Sequence, residues 1–209
     1  MITRTLTLGP FQTNSYLLGC EATREAVVID PGFEAEEILA QVETDELRVV
    51  KILLTHGHVD HVSAVSGVKA GTGAPVYIHA ADQDQYLAAP SLARYFGLRT
   101  EAQPPPDHIL SDGDEVTFGQ EKLSVIHTPG HTPGGVCFLS ESAKLLVAGD
   151  TLFCRGIGRT NLPGGSMRQL FASIKQRIYS LDGSIRVLPG HGPDTTIRDE
   201  MFQNPFVTL

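Results

Sequence analysis

The sequence has little of what marks several classes of protein. Its 209 residues include three cysteines, Cys20, Cys137 and Cys154. A set so sparse, widely spaced and odd in number argues against a disulfide framework and fits a reducing cytosol. No apolar run approaches the roughly 18 residues of a membrane span. The start, Met1-Ile2-Thr3-Arg4-Thr5, lacks the apolar stretch of a secretory signal. A cytoplasmic location with no membrane partner is therefore expected. Basic residues are also scarce: 16 Lys and Arg face 24 Asp and Glu, a formal net charge of −8. Nucleic-acid binding needs a basic face, and no Lys/Arg run supplies one, so no nucleic-acid partner is expected. What remains is an ordinary globular balance, 41% hydrophobic and 19% charged, long enough to bury one sizeable core. One residue type stands out. There are eight histidines, and most sit beside Gly or Asp.

Apolar runs with turn signals between them predict strands at 2–8, 15–18, 26–29, 49–54 and 76–78, and again at 115–118, 123–126, 136–139, 144–147 and 185–188. Helices are expected after Glu34, with Ile38, Leu39 and Val42 on one face, and from about His61 to Ala70. Ser166 and Gln169 read as a capping box ahead of a stripe through Met167, Leu170, Ile174, Ile178 and Leu181, with Asp182-Gly183 as its stop. A last helix is expected over 195–203, and one or two short helices within 80–112, ended by Pro104-Pro105-Pro106. Strands bunch within each half of the chain with helices between, so two sheets packed face to face and covered by helices are predicted.

Four of the strands end alike. Ile52-Leu53-Leu54-Thr55 runs into His56-Gly57-His58-Val59-Asp60-His61, Val125-Ile126-His127 into Thr128-Pro129-Gly130-His131, Leu146-Val147-Ala148 into Gly149-Asp150, and Val187-Leu188-Pro189 into Gly190-His191. Each is an apolar strand, a turn and then a side chain able to bind metal, and strand-end loops are where rigid scaffolds hold functional groups. Packing offers no reason for four polar groups in one short loop. The candidate ligands are His56, His58, Asp60, His61, His131, Asp150 and His191. Imidazole and carboxylate suit zinc, iron or manganese, and seven donors exceed the needs of one tetrahedral ion. Two ions sharing a carboxylate and a hydroxide would use all seven. His79, His108 and His127 fall outside this pattern and are read as surface or core residues, and Cys154 as a small buried hydrophobe.

The run Thr55-His56-Gly57-His58-Val59-Asp60-His61, with His131, Asp150 and His191 after it, resembles the metallo-β-lactamase superfamily across nearly the whole chain. The resemblance implies an α+β fold, an αββα sandwich of two packed mixed β-sheets flanked by helices, over residues 1–209 as one domain. It implies two divalent metal ions per chain, zinc first, with iron or manganese possible. His56, His58 and His131 would hold one ion, Asp60, His61 and His191 the other, and Asp150 would bridge them. Asp30, at a strand end before Pro31-Gly32, would orient a ligand or simply form a turn.

Within the superfamily, Gly149-Asp150-Thr151-Leu152-Phe153 and Gly156-Ile157-Gly158-Arg159-Thr160-Asn161 resemble glyoxalase II, the hydroxyacylglutathione hydrolases. That implies a small-molecule thioester substrate cleaved by a metal-bridging hydroxide, Asp60 and Asp150 as catalytic groups, and Arg159 and Asn161 as substrate contacts. Full-length members carry a C-terminal helical domain that grips glutathione. Only residues 192–209 follow His191 here, so that domain is not expected. Alternatives on the same scaffold are a mononuclear iron persulfide dioxygenase, using His56, His131 and Asp150, and a lactonase or other hydrolase.

Overall fold

The computed structural model describes residues 1–208. Two six-stranded sheets face each other. The first contains β1 (Ile2–Leu8), β2 (Thr13–Gly19), β3 (Glu25–Ile29), β4 (Arg48–Leu53), β5 (Val76–His79) and β6 (His108–Leu110), side by side in chain order. Its first three strands are antiparallel neighbours, whereas β3 to β6 run parallel. The parallel part is linked by α1 (Ala35–Thr44), by α2 (Val59–Val62) with α3 (Val65–Thr72), and by α4 (Gln83–Leu87) with α5 (Ala89–Tyr95). In the second sheet β7 (Glu115–Phe118), β8 (Glu121–His127), β9 (Val136–Ser140) and β10 (Leu145–Gly149) form a meander. A two-stranded ribbon, β11 (Leu152–Phe153) with β12 (Gly156–Ile157), and α6 (Met167–Ser173) follow. Strand β13 (Arg186–Pro189) then returns parallel to β10, and β14 (Thr195–Thr196) pairs with its other edge before α7 (Ile197–Gln203).

The strand period of two creates the layers. Tyr16, Leu18, Val27, Ile29 and Leu53 point between the sheets and meet Val125, Phe138, Val147 and Leu188. Their neighbours Leu17, Val28 and Ile52 point outward beneath Ile38, Val42, Val65 and Val68 of α1 and α3. Across the molecule Ile126, Leu146 and Val187 face outward beneath Leu170, Ile174 and Ile197. Strands covered on both faces have no reason to alternate with polar residues, which is why several read as unbroken apolar runs. The predicted αββα sandwich is thus observed.

Some local expectations change. The helix expected over 61–70 is two, because Ser63 Oγ turns back to Val59 O (2.6 Å) and Ala64 N donates to Pro31 O across to the first sheet. Ser166 Oγ accepts from Gln169 N, but its own N–H donates to Gly130 O, so half of the capping box forms. The stripe continues past Ser173 as a π-helical turn, Ile174–Ile178, and helical structure ends there, ahead of Asp182-Gly183. Thr195 and Thr196 form an edge strand, and Thr196 Oγ1 caps the helix that starts at Ile197. Cys154 is half-exposed rather than buried. Among the described residues no helix is long and apolar enough to cross a membrane.

Candidate metal centre

Strand ends β4, β8, β10 and β13 lie on the same edge of the sandwich, and their loops deliver all seven candidate ligands to one place. His58 Nδ1 lies 2.8 Å from His131 Nε2, and the His56 ring sits 4.8–4.9 Å from both. On the other side Asp60 Oδ2 is 3.3 Å from His191 Nε2 and 3.7 Å from His61 Nε2. Asp150 stands between the two groups. Its Oδ1 is 3.3 Å from His61 Nε2 and its Oδ2 is 3.3 Å from His131 Nε2. That approach needs Gly190: a Cβ there would lie 2.1 Å from Asp150 Oδ1 and 2.7 Å from the His61 ring.

The electrostatics ask for cations. Burial, then the other imidazoles, hold His56 well below the usual histidine range. Burial and then the nearby His131 push His58 down to about 4. Both rings are neutral, as ligands must be. Burial opposes ionisation of Asp150, but His61, His131 and His191 outweigh it and hold the carboxyl well below its ordinary value. Burial likewise opposes a charge on His61, yet Asp150 and Asp60 raise it well above its usual range. Carboxylates that favour the cationic form of a fully buried ring mark a site short of positive charge. His56 Nε2, His61 Nε2 and Asp150 Oδ1 are buried with no hydrogen-bond partner. Such atoms are costly unless something pairs with them. Divalent cations fit this donor set, which gathers into His56–His58–His131 and Asp60–His61–His191.

One carboxylate prepares a ring in each group. Asp30 Oδ1 accepts from Thr55 N (2.7 Å), while Oδ2 accepts from Thr55 Oγ1 (2.6 Å) and from His61 Nδ1 (2.9 Å). With its proton directed to Asp30, Thr55 Oγ1 is free to accept from His56 Nδ1, 3.0 Å away. Both rings then carry their proton on Nδ1 and turn an Nε2 lone pair toward the centre. The two readings of Asp30 are therefore both met, since it also has the left-handed φ of a turn, 51°. His131 is fixed in the same manner, Nδ1 donating to Arg159 O at 2.7 Å.

The sequence reading missed several supports. Asp82, fully buried just after β5, accepts from Gly57 N (3.1 Å) and Gly134 N (2.6 Å), tying the His56–His58 loop to the turn after His131. It follows a strand end as the ligands do, and that position was the available signal. Asn14 Nδ2 donates to Pro189 O and Gly192 O, holding the His191 turn, and Thr13 Oγ1 donates to Asp60 Oδ2 at 3.5 Å. Arg159 is exposed on the loop beside His131, and its Nε donates to Asn161 Oδ1 at 2.9 Å. The three histidines set aside stay outside the centre. His79 stacks on His127 at 4.3 Å, and His108 on Tyr77.

Comparison with known proteins agrees with this geometry. The model of the metallo-beta-lactamase superfamily matches residues 8–191. Hydroxyacylglutathione hydrolase GloC of Haemophilus influenzae is 36% identical, over 94% of this chain and 93% of its own. The crystal structure of BLEG-1, a B3 metallo-beta-lactamase, is 40% identical and covers all of both chains with a TM-score of 0.93. TTHA1623 in a di-iron-bound form is 42% identical, over 98% of this chain and 100% of its own, with a TM-score of 0.90. The fold of two facing sheets flanked by helices is thus shared with solved structures along nearly their full length, and the chain belongs to the metallo-beta-lactamase superfamily.

Proposed function

We propose that this protein is a thioester hydrolase of glyoxalase II type, acting on S-acyl derivatives of glutathione-like thiols. The observation that carries the reading is the union of a complete seven-ligand centre with Arg159 on the loop that also fixes His131. The similarity to GloC supports it. His56, His58 and His131 would hold one divalent ion and Asp60, His61 and His191 a second, with Asp150 between, zinc being the first candidate and iron or manganese compatible with the same donors. When bound, such ions supply hydroxide at neutral pH and polarise a carbonyl.

The chain's own groups do the rest. Asp60 Oδ2, aligned by Thr13 Oγ1, can orient the attacking oxygen and accept its proton. Asp150 keeps the two ligand groups in register by reaching both. The Arg159 Nε is engaged by Asn161, which steadies the guanidinium while its Nη groups stay free for an anionic end of the thiol half. Collapse of the tetrahedral adduct breaks the C–S bond, and a thiol of pKa about 8.5 leaves readily without a strong acid.

The test is elemental analysis of protein purified without chelator, joined to an assay panel of a thioester, a lactone, glutathione persulfide with oxygen uptake, and a chromogenic cephalosporin. Two ions per chain and preferred thioester cleavage are expected. Oxygen-consuming persulfide turnover by protein with one ion, or preferred opening of the lactone or cephalosporin, would overturn it.

A further inference from the structure

The turn that leads into Thr13 leaves an aromatic ring in water, and exposed rings of another segment join it. Phe11, in the turn between β1 and β2, meets Phe96 edge-on at 5.7 Å and Phe33 at 6.3 Å. Tyr95 adds a further edge contact to Phe96. Phe11, Phe96 and Tyr95 are 38%, 53% and 84% exposed. Single exposed apolar residues need no explanation, but rings gathered from three separate segments into one patch do.

This patch is built, and it adjoins the ligands. Gly9, at φ 69°, lies against Phe33, whose ring carbons would be 2.2–2.5 Å from any Cβ at that position. Gly9 N also donates to a Glu34 carboxylate oxygen. The turn is thus clamped onto Phe33. Two residues after Phe11, Thr13 pairs with His191 through a β-bridge and donates to Asp60. Gly32, just before Phe33, packs on the Asp60 carbonyl so closely that a Cβ would lie 2.1 Å from it. The segments that carry Phe11 and Phe33 are therefore tied to the Asp60–His191 group, while the Arg159 backbone is tied to His131. Phe33 also lines a groove of about 450 Å³, together with Ala35, Ala64 and Gly67 and with polar residues such as Glu36 and Arg99. That volume lies in the range of small-molecule sites.

A thioester has two arms joined at the carbonyl. With the carbonyl at the centre and the anionic thiol arm on Arg159, the acyl arm extends toward Phe11, Phe33 and Phe96. We propose that these rings form an acyl-binding wall and that the protein prefers thioesters of aromatic or bulky apolar acids over those of small ones. In the step itself water adds its oxygen to the acyl carbon, the C–S bond breaks, and the thiol leaves with a proton. Phe11 and Phe96 touch neither, so they are positioning residues for the acyl group. The inference rests on the thioester reading above.

The test compares S-acetyl- and S-phenylacetyl-glutathione on the metal-loaded protein. The expected kcat/KM favours the phenylacetyl compound by about ten-fold, the scale on which an apolar pocket discriminates. Phe11→Ala and Phe96→Ala should each collapse that ratio, and Phe11→Leu should restore part of it. Both positions are exposed, so the folded state is kept. A ratio near one in the parent, or one untouched by both variants, overturns the inference and leaves the thioester reading standing. If no thioester is cleaved, the thioester reading itself fails, and the wall is judged by titrating phenylacetate into the loaded protein by NMR. Shifts at the 11, 33 and 96 positions that vanish in Phe11→Ala uphold it, and their absence refutes it.

Discussion

Asp30→Asn is a sharp probe of the centre because the change is nearly isosteric and Asn tolerates the left-handed backbone found there. Asp30 receives three hydrogen bonds, and Asn has only one oxygen with which to receive them. With that oxygen toward Thr55 N, the amide group faces His61 Nδ1 and Thr55 Oγ1. His61 must then present a lone pair on Nδ1 and move its proton to Nε2. The Thr55 hydroxyl turns to donate toward His56, moving that ring's proton to Nε2 as well. Every polar group around position 30 stays paired, but both rings lose the lone pairs that would meet metal. With the oxygen toward His61, both rings keep their ligand form, and the buried Thr55 N–H faces a donor instead.

The metal-free variant takes the first arrangement and keeps its fold, whereas ions drive it into the second. The unpaired buried donor costs roughly 1–3 kcal/mol. At 1.36 kcal/mol per decade this corresponds to about 5–160-fold weaker metal binding, a range that spans the scale typical of lost outer partners of metal ligands. The assay is competitive titration with a chromophoric zinc chelator on parent and Asp30→Asn, beside urea unfolding of both metal-free proteins. Reduced affinity with a nearly unchanged metal-free unfolding midpoint is expected. A variant that binds zinc as tightly as the parent would refute the tautomer argument, and one that unfolds without metal would make Asp30 a structural residue only.

Other outcomes follow from the same contacts. Asp150→Ala should lower turnover more than replacement of any single histidine, since the Asp150 carboxylate oxygens reach both ligand groups, and steady-state kinetics of the panel of variants checks this. Asp82→Ala strands the N–H groups of Gly57 and Gly134, each worth roughly 1–3 kcal/mol, and should lower Tm by on the order of 10 °C in a thermal melt. Arg159→Ala should leave metal content intact while raising KM for an anionic thioester more than for a neutral one; equal kinetics on both would remove Arg159 from the substrate site. Burial pushes the Cys137 thiol up to about 11. It should resist alkylation at pH 8 while half-exposed Cys154 reacts, as mass mapping would show. Because the folded value lies above the unfolded one, near 8.5, the buried thiol favours the fold below that pH, and its contribution is lost as pH rises through about 11, visible as falling stability in alkaline denaturation.

What the sequence showed and what it hid divide by the range of the interactions. The ligand loops were legible because each is local, a strand followed by a turn and a donor within a few residues, and His56 to His61 place four donors in one segment. The layers were legible because a two-sided core writes itself as continuous apolar strands, as over Leu145–Gly149. Strand β6 was hidden, since three residues after a proline run carry little pattern of their own and are held by parallel pairing to β5. The π-helical turn after Ser173 was hidden for another reason, because Ile174 and Ile178 keep to one face whether the backbone is wound tightly or loosely. Thr13 and Asn14 were silent because their partners lie 47 and 175 residues away, and Asp82, though placed after a strand end, has its Gly134 partner 52 residues on, so nothing in the intervening chain encodes the meeting. These three are not among the candidate ligands, yet each fixes a loop that presents them. The donor set is therefore specified locally while its geometry is specified by the fold, so a relative with all seven donors but without Asp82 or Asn14 should still bind metal while holding its two ligand groups in looser register.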